Sequence, residues 1–570
     1  MQFDHIFLFI KRHCITFEFK YNIFCMRLFL VFIVFVTSVN HLNATNYYFS
    51  TSGNNNNKGT SPKEAFRSLS KLSTIALKPG DKILLKKGDV FEGTIELINV
   101  LGTSKQNIYV GSYGKGGRKP LINAKGLLHG ILIQDSSFIT VSNIAITANG
   151  GGAPSYFKGP RFDRYGVLIL GKNKGSYSNI TLSNLHIKDI FKEEKGFDRG
   201  SDEVLTAMGN QEYGYGIRTL NRKASIVYSH IKITNCLIEN VGHTGIKFSG
   251  NANQNLAKRN IRNVEVLNNQ VLKAGGPAIQ VGSIQDGIFR GNKTNYSGSY
   301  DDSRKWGRGS GLWTWGCLDV LIEKNEFRNA HGPADSAGTH IDFNNKNIII
   351  QYNLSENNDG GFVEILGNNH NCTYRYNVSI NDGSRKFVKG KTLGAGTMIG
   401  VNGWVGKKKP RLGPFNVYIY NNTIYVKKGI NPEVGASKHT RGILLVNNIF
   451  YLEDAPVADH RRPFRPENGP LPNVVFENNL FLNKDNWPSK DKMLIVDKAP
   501  MFGDPKFKNT GGLQIEDYTP TNKNLIKDKG IFITNIPSDS IGLVGGFKLT
   551  KDILGNKIIG TPDMGAIEVK

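Results

Sequence analysis

The chain has 570 residues, with 72 Lys and Arg against 47 Asp and Glu and a formal charge of +25 at pH 7. Its 64 glycines, 21 prolines and 39% hydrophobic content exclude a collagen-like or disordered chain and leave a turn-rich folded one. The charge points to an anionic partner. No zinc-finger spacing, RNA-binding aromatic signature or basic helix accompanies it, so nucleic acid is not the expected partner.

Residues 1–44 read as an upstream extension plus a signal peptide. Met26-Arg27 supplies a positive flank, and Leu28-Phe29-Leu30-Val31-Phe32-Ile33-Val34-Phe35-Val36 is an apolar run of signal length. Translation is expected to begin at Met26 rather than Met1, with cleavage between Thr37 and Thr45. The run is too short to span a bilayer comfortably, so the mature chain is expected to be secreted, periplasmic or extracellular, with no stable membrane span.

Residues 45–105 read as an N-terminal cap and first strands. Ser61 is a natural N-cap with Pro62 at the first helical position. Phe66, Leu69, Leu72 and Ile75 then share one face of a short amphipathic helix. Such a cap closes the open end of a solenoid, which otherwise presents unpaired strand edges.

Residues 106–485 carry a repeat. An apolar–polar–apolar triplet recurs as Ile217-Arg218-Thr219, Ile246-Lys247-Phe248, Ile279-Gln280-Val281, Trp313-Thr314-Trp315, Ile341-Asp342-Phe343 and Val363-Glu364-Ile365. The central residues stand 29, 33, 34, 28 and 22 positions apart, by subtraction of their numbers. That period is a solenoid signature, and glycine precedes nearly every copy. A second motif is an apolar stretch ending in asparagine: Asn143, Asn184, Asn235, Asn268, Asn325, Asn353, Asn377, Asn422, Asn448 and Asn479. Stacked coil on coil, these side chains would form an amide ladder. Insertions at 151–178, 186–214, 285–310, 383–395, 402–414 and 452–470 fall in turns, where they would wall a binding face. Residues 486–570 read as a closing segment. Cys14 and Cys25 go with the leader. Cys236, Cys317 and Cys372 lack zinc-site spacing and are expected as buried thiols.

The Asn-centred coils, the opening Tyr47-to-Leu85 segment and the closing Pro505-x-Phe507 and Asp563-x-Gly565-Ala566 pieces resemble the pectate-lyase-like carbohydrate-active enzymes of bacteria. The resemblance implies an all-β chain: a right-handed parallel β-helix solenoid with a short N-terminal capping helix and long turn insertions. That fold hosts hydrolases and lyases alike.

The chemistry is expected where acids gather. Asp342 and Glu364 sit at consecutive triplet centres, so both would point outward from strands about 4.8 Å apart. Two close carboxylates do not both ionise easily; one is held protonated as a general acid. His340 lies on the same face as Asp342, with Asn344 two residues beyond. Asp335 and Asp359 lie in adjoining turns. Asp342 and Glu364 are therefore the expected acid/base or nucleophile pair, with Asp359 or Asp335 assisting and His340 positioning a hydroxyl. A close pair favours retention, and a partner in a turn allows inversion. Arg218, Lys247, His243 and Gln280 continue the face as binding residues for an acidic polysaccharide. Trp306 and Trp404 are the expected stacking residues; Trp313 and Trp315 are expected to face the core by parity. No cofactor is required, although adjacent carboxylates also attract calcium. The expected function is glycoside hydrolysis of an anionic, sulfated or unsulfated, polysaccharide. The alternatives are a β-eliminating lyase and a non-catalytic glycan-binding solenoid. Oligomeric state is not legible.

Overall fold

The computed structural model describes residues 44–152, 163–197, 214–251, 258–298, 304, 307–458, 473–485, 497–537 and 539–569. The expected signal segment, Cys14, Cys25 and Trp306 lie outside them.

Each coil gives one strand to each of three parallel sheets, which hold 14, 12 and 14 strands among the described residues. The first complete coil is Lys82–Lys86, Val90–Glu92 and Ile95–Ile98, within the stretch expected to hold the cap and first strands. Every pairing in these three sheets is parallel, and in-register side chains stack along the axis. Ile217, Ile246, Ile279 and Leu312 form one inner stack. Phe248, Val281, Thr314, Ile341 and Ile365 form another. All nine are at most 1% exposed. Each large apolar member contributes roughly 1.5–3 kcal/mol of burial, so the core is distributed over the full length of the solenoid rather than gathered at one centre.

The amide ladder exists, with a corrected register. Asn269, Asn292, Asn325, Asn353, Asn377, Asn422, Asn448 and Asn479 each donate Nδ2–H to the Oδ1 of the next at 2.9–3.0 Å. Asn479 ends the chain on Asp497 Oδ2 at 2.7 Å. Asn143, Asn184, Asn235 and Asn268 stand one position earlier, at corners with φ of 59°, 54°, 54° and 55°. Asparagine tolerates that left-handed geometry, so two roles share one residue type. Asn377→Leu should therefore lose roughly 1–3 kcal/mol or more of stability, because its neighbours' amides are left unpaired. Asn235→Gly, at a corner, should stay within a few tenths. Urea midpoints of the two variants check this.

The expected capping helix is two 3₁₀ segments, Pro62–Glu64 and Leu69–Thr74. Ser61 caps the first, its Oγ accepting from Glu64 N–H at 3.3 Å. Phe66 interrupts the pair because its backbone bridges to Phe49 as an extended residue. At the other end, Phe507, Tyr518, Ile526 and Met564 pack on Tyr425, Ile449 and Leu480 of one sheet. Ile536 and Leu543 pack on Tyr418, Tyr420 and Leu444 of a second sheet. The third sheet, of 12 strands, carries the cleft. Cys236, Cys317 and Cys372 are buried free thiols. Burial pushes them up to about 11, 11 and 12, which keeps them unreactive.

Candidate active site

On the third sheet the outward column runs Arg218, Lys247, Gln280, Trp313, His340. Ile341 pairs with Ile365, which sets His340 beside Glu364; Glu364 then faces Gly400. The expected column placed Thr314 and Asp342 at its centre, and both placements are corrected. Leu312 and Thr314 point inward, so Trp313 and Trp315 point outward. Thr339 and Ile341 point inward, so His340 and Asp342 point outward. A tryptophan pair is too bulky for the stacked interior, whereas threonine fits it. Asp342 and Glu364 are thus diagonal rather than directly opposed, about 8 Å apart at the backbone from strand spacing and rise.

A cleft of about 990 Å³ lies over this face. Three acids line it: Asp335, Asp342 and Glu364. Asp342 is held by its backbone. Its N–H donates to Thr314 O at 2.8 Å, and its carbonyl accepts from Asn345 Nδ2 and Asn369 Nδ2, each at 2.7 Å. Burial pushes the Asp342 carboxyl up to about 7; the charges of Asp335 and Glu364 add to the rise, while His340 and the Phe343 N–H oppose it. Asp342 therefore keeps its proton up to about pH 7.

Asp335 comes from outside the three sheets. Ala334–Asp335 pairs with Arg308–Gly309 in a two-stranded side sheet. Arg308 Nε lies 3.3 Å from Asp335 Oδ2, with the Arg308 side chain 6% exposed. Asp335 and Ser336 both take positive φ, 46° and 65°, and consecutive left-handed residues of this kind are held only by their surroundings. Arg385 supplies part of that hold, its Nη1 donating to Asp335 O at 2.8 Å and Gly332 O at 3.1 Å. Gly360 supplies another: a Cβ there would stand 1.9 Å from the Asp335 carbonyl oxygen. Glu364 Oε2 lies 3.6 Å from His340 Nδ1, and the His340 ring packs 4.9 Å from the Trp313 ring.

Aromatic residues form one wall. Trp315 packs on Phe343 and Phe343 on Trp404, at ring separations of 6.2 and 5.2 Å. Trp315 lies across Gly282, where a Cβ would come within 2.6 Å of its Nε1. Trp404 lines the cleft, where stacking was expected. Lys247 and Gln280 also line it, and the Lys247 ammonium sits 5.2 Å from the Tyr215 ring.

Four expected residues are placed elsewhere. Arg218 is 1% exposed, set 3.6 Å from Asp163 and over the Tyr215 ring, beneath the surface instead of on it. His243 is fully buried, with Nδ1 2.6 Å from Thr244 Oγ1. Asn344 is a left-handed corner, φ 65°, accepting from Asn368 Nδ2. Asp359 points away from the cleft. It faces His331 Nδ1 at 3.2 Å and accepts from Gly332 N–H and Ser384 Oγ, so it braces the turn that carries Asp335. These partners outweigh burial and hold its carboxyl below the usual range.

Arg308 and Arg385 were missed, because single arginines inside Gly-rich insertions carry no periodic signal. Trp313 was missed as a cleft residue although a signal existed. The column residue stands two places after the glycine or alanine at 216, 245, 278, 311 and 338.

Among the described residues no group of three His, Cys, Asp or Glu side chains is placed to hold a metal ion. Asp335 faces Arg308, Glu364 faces His340, and Asp342 favours its proton. That donor set is a poor match to calcium, which takes ionised oxygens.

A family model described as right-handed beta helix region matches residues 215–450. The chain is 26% identical over 625 aligned positions to the lacto-N-biosidase of Bifidobacterium longum subsp. longum; the match covers 93% of this chain and 37% of the relative, so the chain spans little more than a third of that protein's length. Among solved structures, the native GH136 lacto-N-biosidase from Eubacterium ramulus superposes with a TM-score of 0.52 at 20% identity, covering 80% of this chain and 68% of that one. The complex of XylC with xylose superposes with a TM-score of 0.53 at 12% identity, covering 92% and 98%. These likenesses show the right-handed parallel β-helix fold that the sequence resemblance implied.

Proposed function

We propose that this right-handed parallel β-helix chain is a glycoside hydrolase that cleaves a glycan with Asp342 as proton donor and Asp335 as base or nucleophile. The observation that carries the reading is the unequal treatment of two carboxyl groups in one cleft. Asp342 is desolvated and pushed up to about 7. Asp335 has the Arg308 guanidinium as counter-charge. A carboxyl that keeps its proton beside one that faces a guanidinium suits a division into acid and base or nucleophile. Asp342 would protonate the glycosidic oxygen as the bond breaks. Asp335 would stabilise or attack the developing positive charge at the anomeric carbon, or activate a water there. Glu364, beside His340, is better placed to bind sugar hydroxyls than to replace Asp335. This reading moves the second carboxylate from the expected Glu364 to Asp335. The similarity to a protein named lacto-N-biosidase supports glycoside hydrolysis. The charge of +25 supports an acidic glycan, and the apolar run Leu28–Val36 supports secretion.

Incubation of the purified chain with neutral, uronate-containing and sulfated glycans tests the reaction class. New reducing ends with no ultraviolet-absorbing unsaturated ring are expected. An unsaturated product would make the chain a lyase; binding without new ends would make it a glycan-binding solenoid.

A further inference from the structure

We infer that the end of the cleft beyond Glu364 is an anion-reading subsite, in which Lys407 and Arg411 hold a sulfate ester or carboxylate on the substrate close to the cleaved bond. This rests on the hydrolase reading and adds to it where the substrate's charge is recognised.

The outward column passes from Glu364 to Gly400 and then Gly435. Neither has a side chain, so the groups that overhang this stretch come from loops. One is the segment after strand Thr397–Val401, which runs Asn402-Gly403-Trp404-Val405-Gly406-Lys407-Lys408-Lys409-Pro410-Arg411. Asn402, Trp404, Lys407 and Arg411 from it line the cleft. The distance from the Glu364 strand to this neighbour is one strand spacing, about 4.8 Å, so the cations stand within reach of a sugar bound across the acids.

The loop is fixed in place. Trp404 N–H donates to Asn402 Oδ1 at 2.8 Å. Gly367 N–H donates to Trp404 O, Leu412 N–H to Gly403 O and Asn368 N–H to Leu412 O, each at 2.8 Å. Four cations are therefore presented on an anchored backbone. All four are exposed, and none of Lys407, Lys408, Lys409 and Arg411 is in an ion pair among the described residues. Lys438, Arg411 and Arg441 add to burial in lowering the His439 pKa, so positive charge extends along this rim. The four loop cations Lys407, Lys408, Lys409 and Arg411 oppose one another in the free protein, and an anionic ligand relieves that cost. Arginine offers a planar fork and lysine a point charge, which together match an oxyanion group. Trp404, in the same loop, gives the sugar ring an apolar face to lie on.

Affinity electrophoresis of the full chain tests the assignment, with heparin as the sulfated probe, polygalacturonate as the carboxylate probe and dextran as the neutral control. Heparin or polygalacturonate should retard the wild type and dextran should not. The double variant Lys407→Ser/Arg411→Ser should bind the retarding polymer roughly tenfold or more weakly. The variant Lys523→Ser/Lys527→Ser removes the same charge from the C-terminal segment and should bind as wild type. Retardation by heparin alone assigns sulfate, and by polygalacturonate alone assigns carboxylate. Equal losses in both double variants, no loss in the first, or no retardation of the wild type would overturn the subsite. Asp342→Asn separates the two proposals: it should keep wild-type retardation while hydrolysis is lost. A subsite that survives without hydrolysis of any glycan would leave the hydrolase reading, not the subsite, as the failure.

Discussion

Asp342→Asn is expected to lower kcat for glycan hydrolysis by roughly 10²–10⁴-fold, the range lost when a general acid is removed. The loss should shrink on an aryl glycoside with a good leaving group, because that bond needs no proton to break. The same substitution should raise stability at neutral pH. Burial lifts the Asp342 carboxyl from the ordinary 3.8 to about 7. Below pH 3.8 the group is protonated both folded and unfolded, and folding is not penalised. As pH rises from 3.8 to about 7, the unfolded chain gives up the proton and the folded chain keeps it, so stability falls; above 7 the full penalty is present. Asparagine does not titrate and avoids it. The melting temperature of the variant should exceed that of wild type by a margin that grows across this window and then levels off. The corresponding gain in unfolding free energy is on the order of 2–4 kcal/mol with incomplete burial allowed for. A stabilised and inactive variant is the pattern of a strained active-site group. A variant that is both inactive and unfolded would count against it.

Asp335→Asn should be as damaging, whereas Glu364→Gln should cost much less, on the order of tenfold. The contrast follows from what surrounds each acid. Asp335 has a buried arginine and a backbone held in left-handed geometry by Arg385 and Gly360. Glu364 extends from an ordinary strand position toward His340. With Asp335→Asn Arg308 loses the carboxylate beside it, so some destabilisation is expected as well, and kcat per folded molecule is the quantity to compare. A larger loss in Glu364→Gln than in Asp335→Asn would return the partner role to Glu364.

The fold was legible because its signals are repetitive. Stacked Ile and Val positions, glycine at coil corners and asparagine at ladder positions recur with every coil, so one ambiguous copy is outvoted by the others. The sequence brought forward four residues that line one cleft, Asp335, His340, Asp342 and Glu364. Their register was less legible. Reading Trp313-Thr314-Trp315 by hydrophobicity turned that strand over, because a large apolar side chain was assigned to the interior. The interior of a stacked coil is narrow and accepts Thr314 and Thr339, while the tryptophan faces the groove. The glycine and alanine at 245, 278, 311 and 338 hold the true register, since their carbonyl oxygens accept from Ile217, Ile246, Ile279 and Leu312 N–H. Asp359 could not be told from Asp335 by sequence, as both sit in Gly-rich turns. Only packing shows that one faces the cleft and the other His331. Arg308 reaches Asp335 from an insertion 27 residues earlier, by subtraction of their numbers, a distance that no local pattern encodes.

The most direct measurement is kcat/KM against pH for a glycan that the wild type hydrolyses, because this profile reports the essential groups of the free protein. With Asp342 as a partly buried proton donor, activity should fall tenfold per pH unit above about 7. A profile that stays level through pH 9, or one that falls already above pH 4, would contradict the assignment.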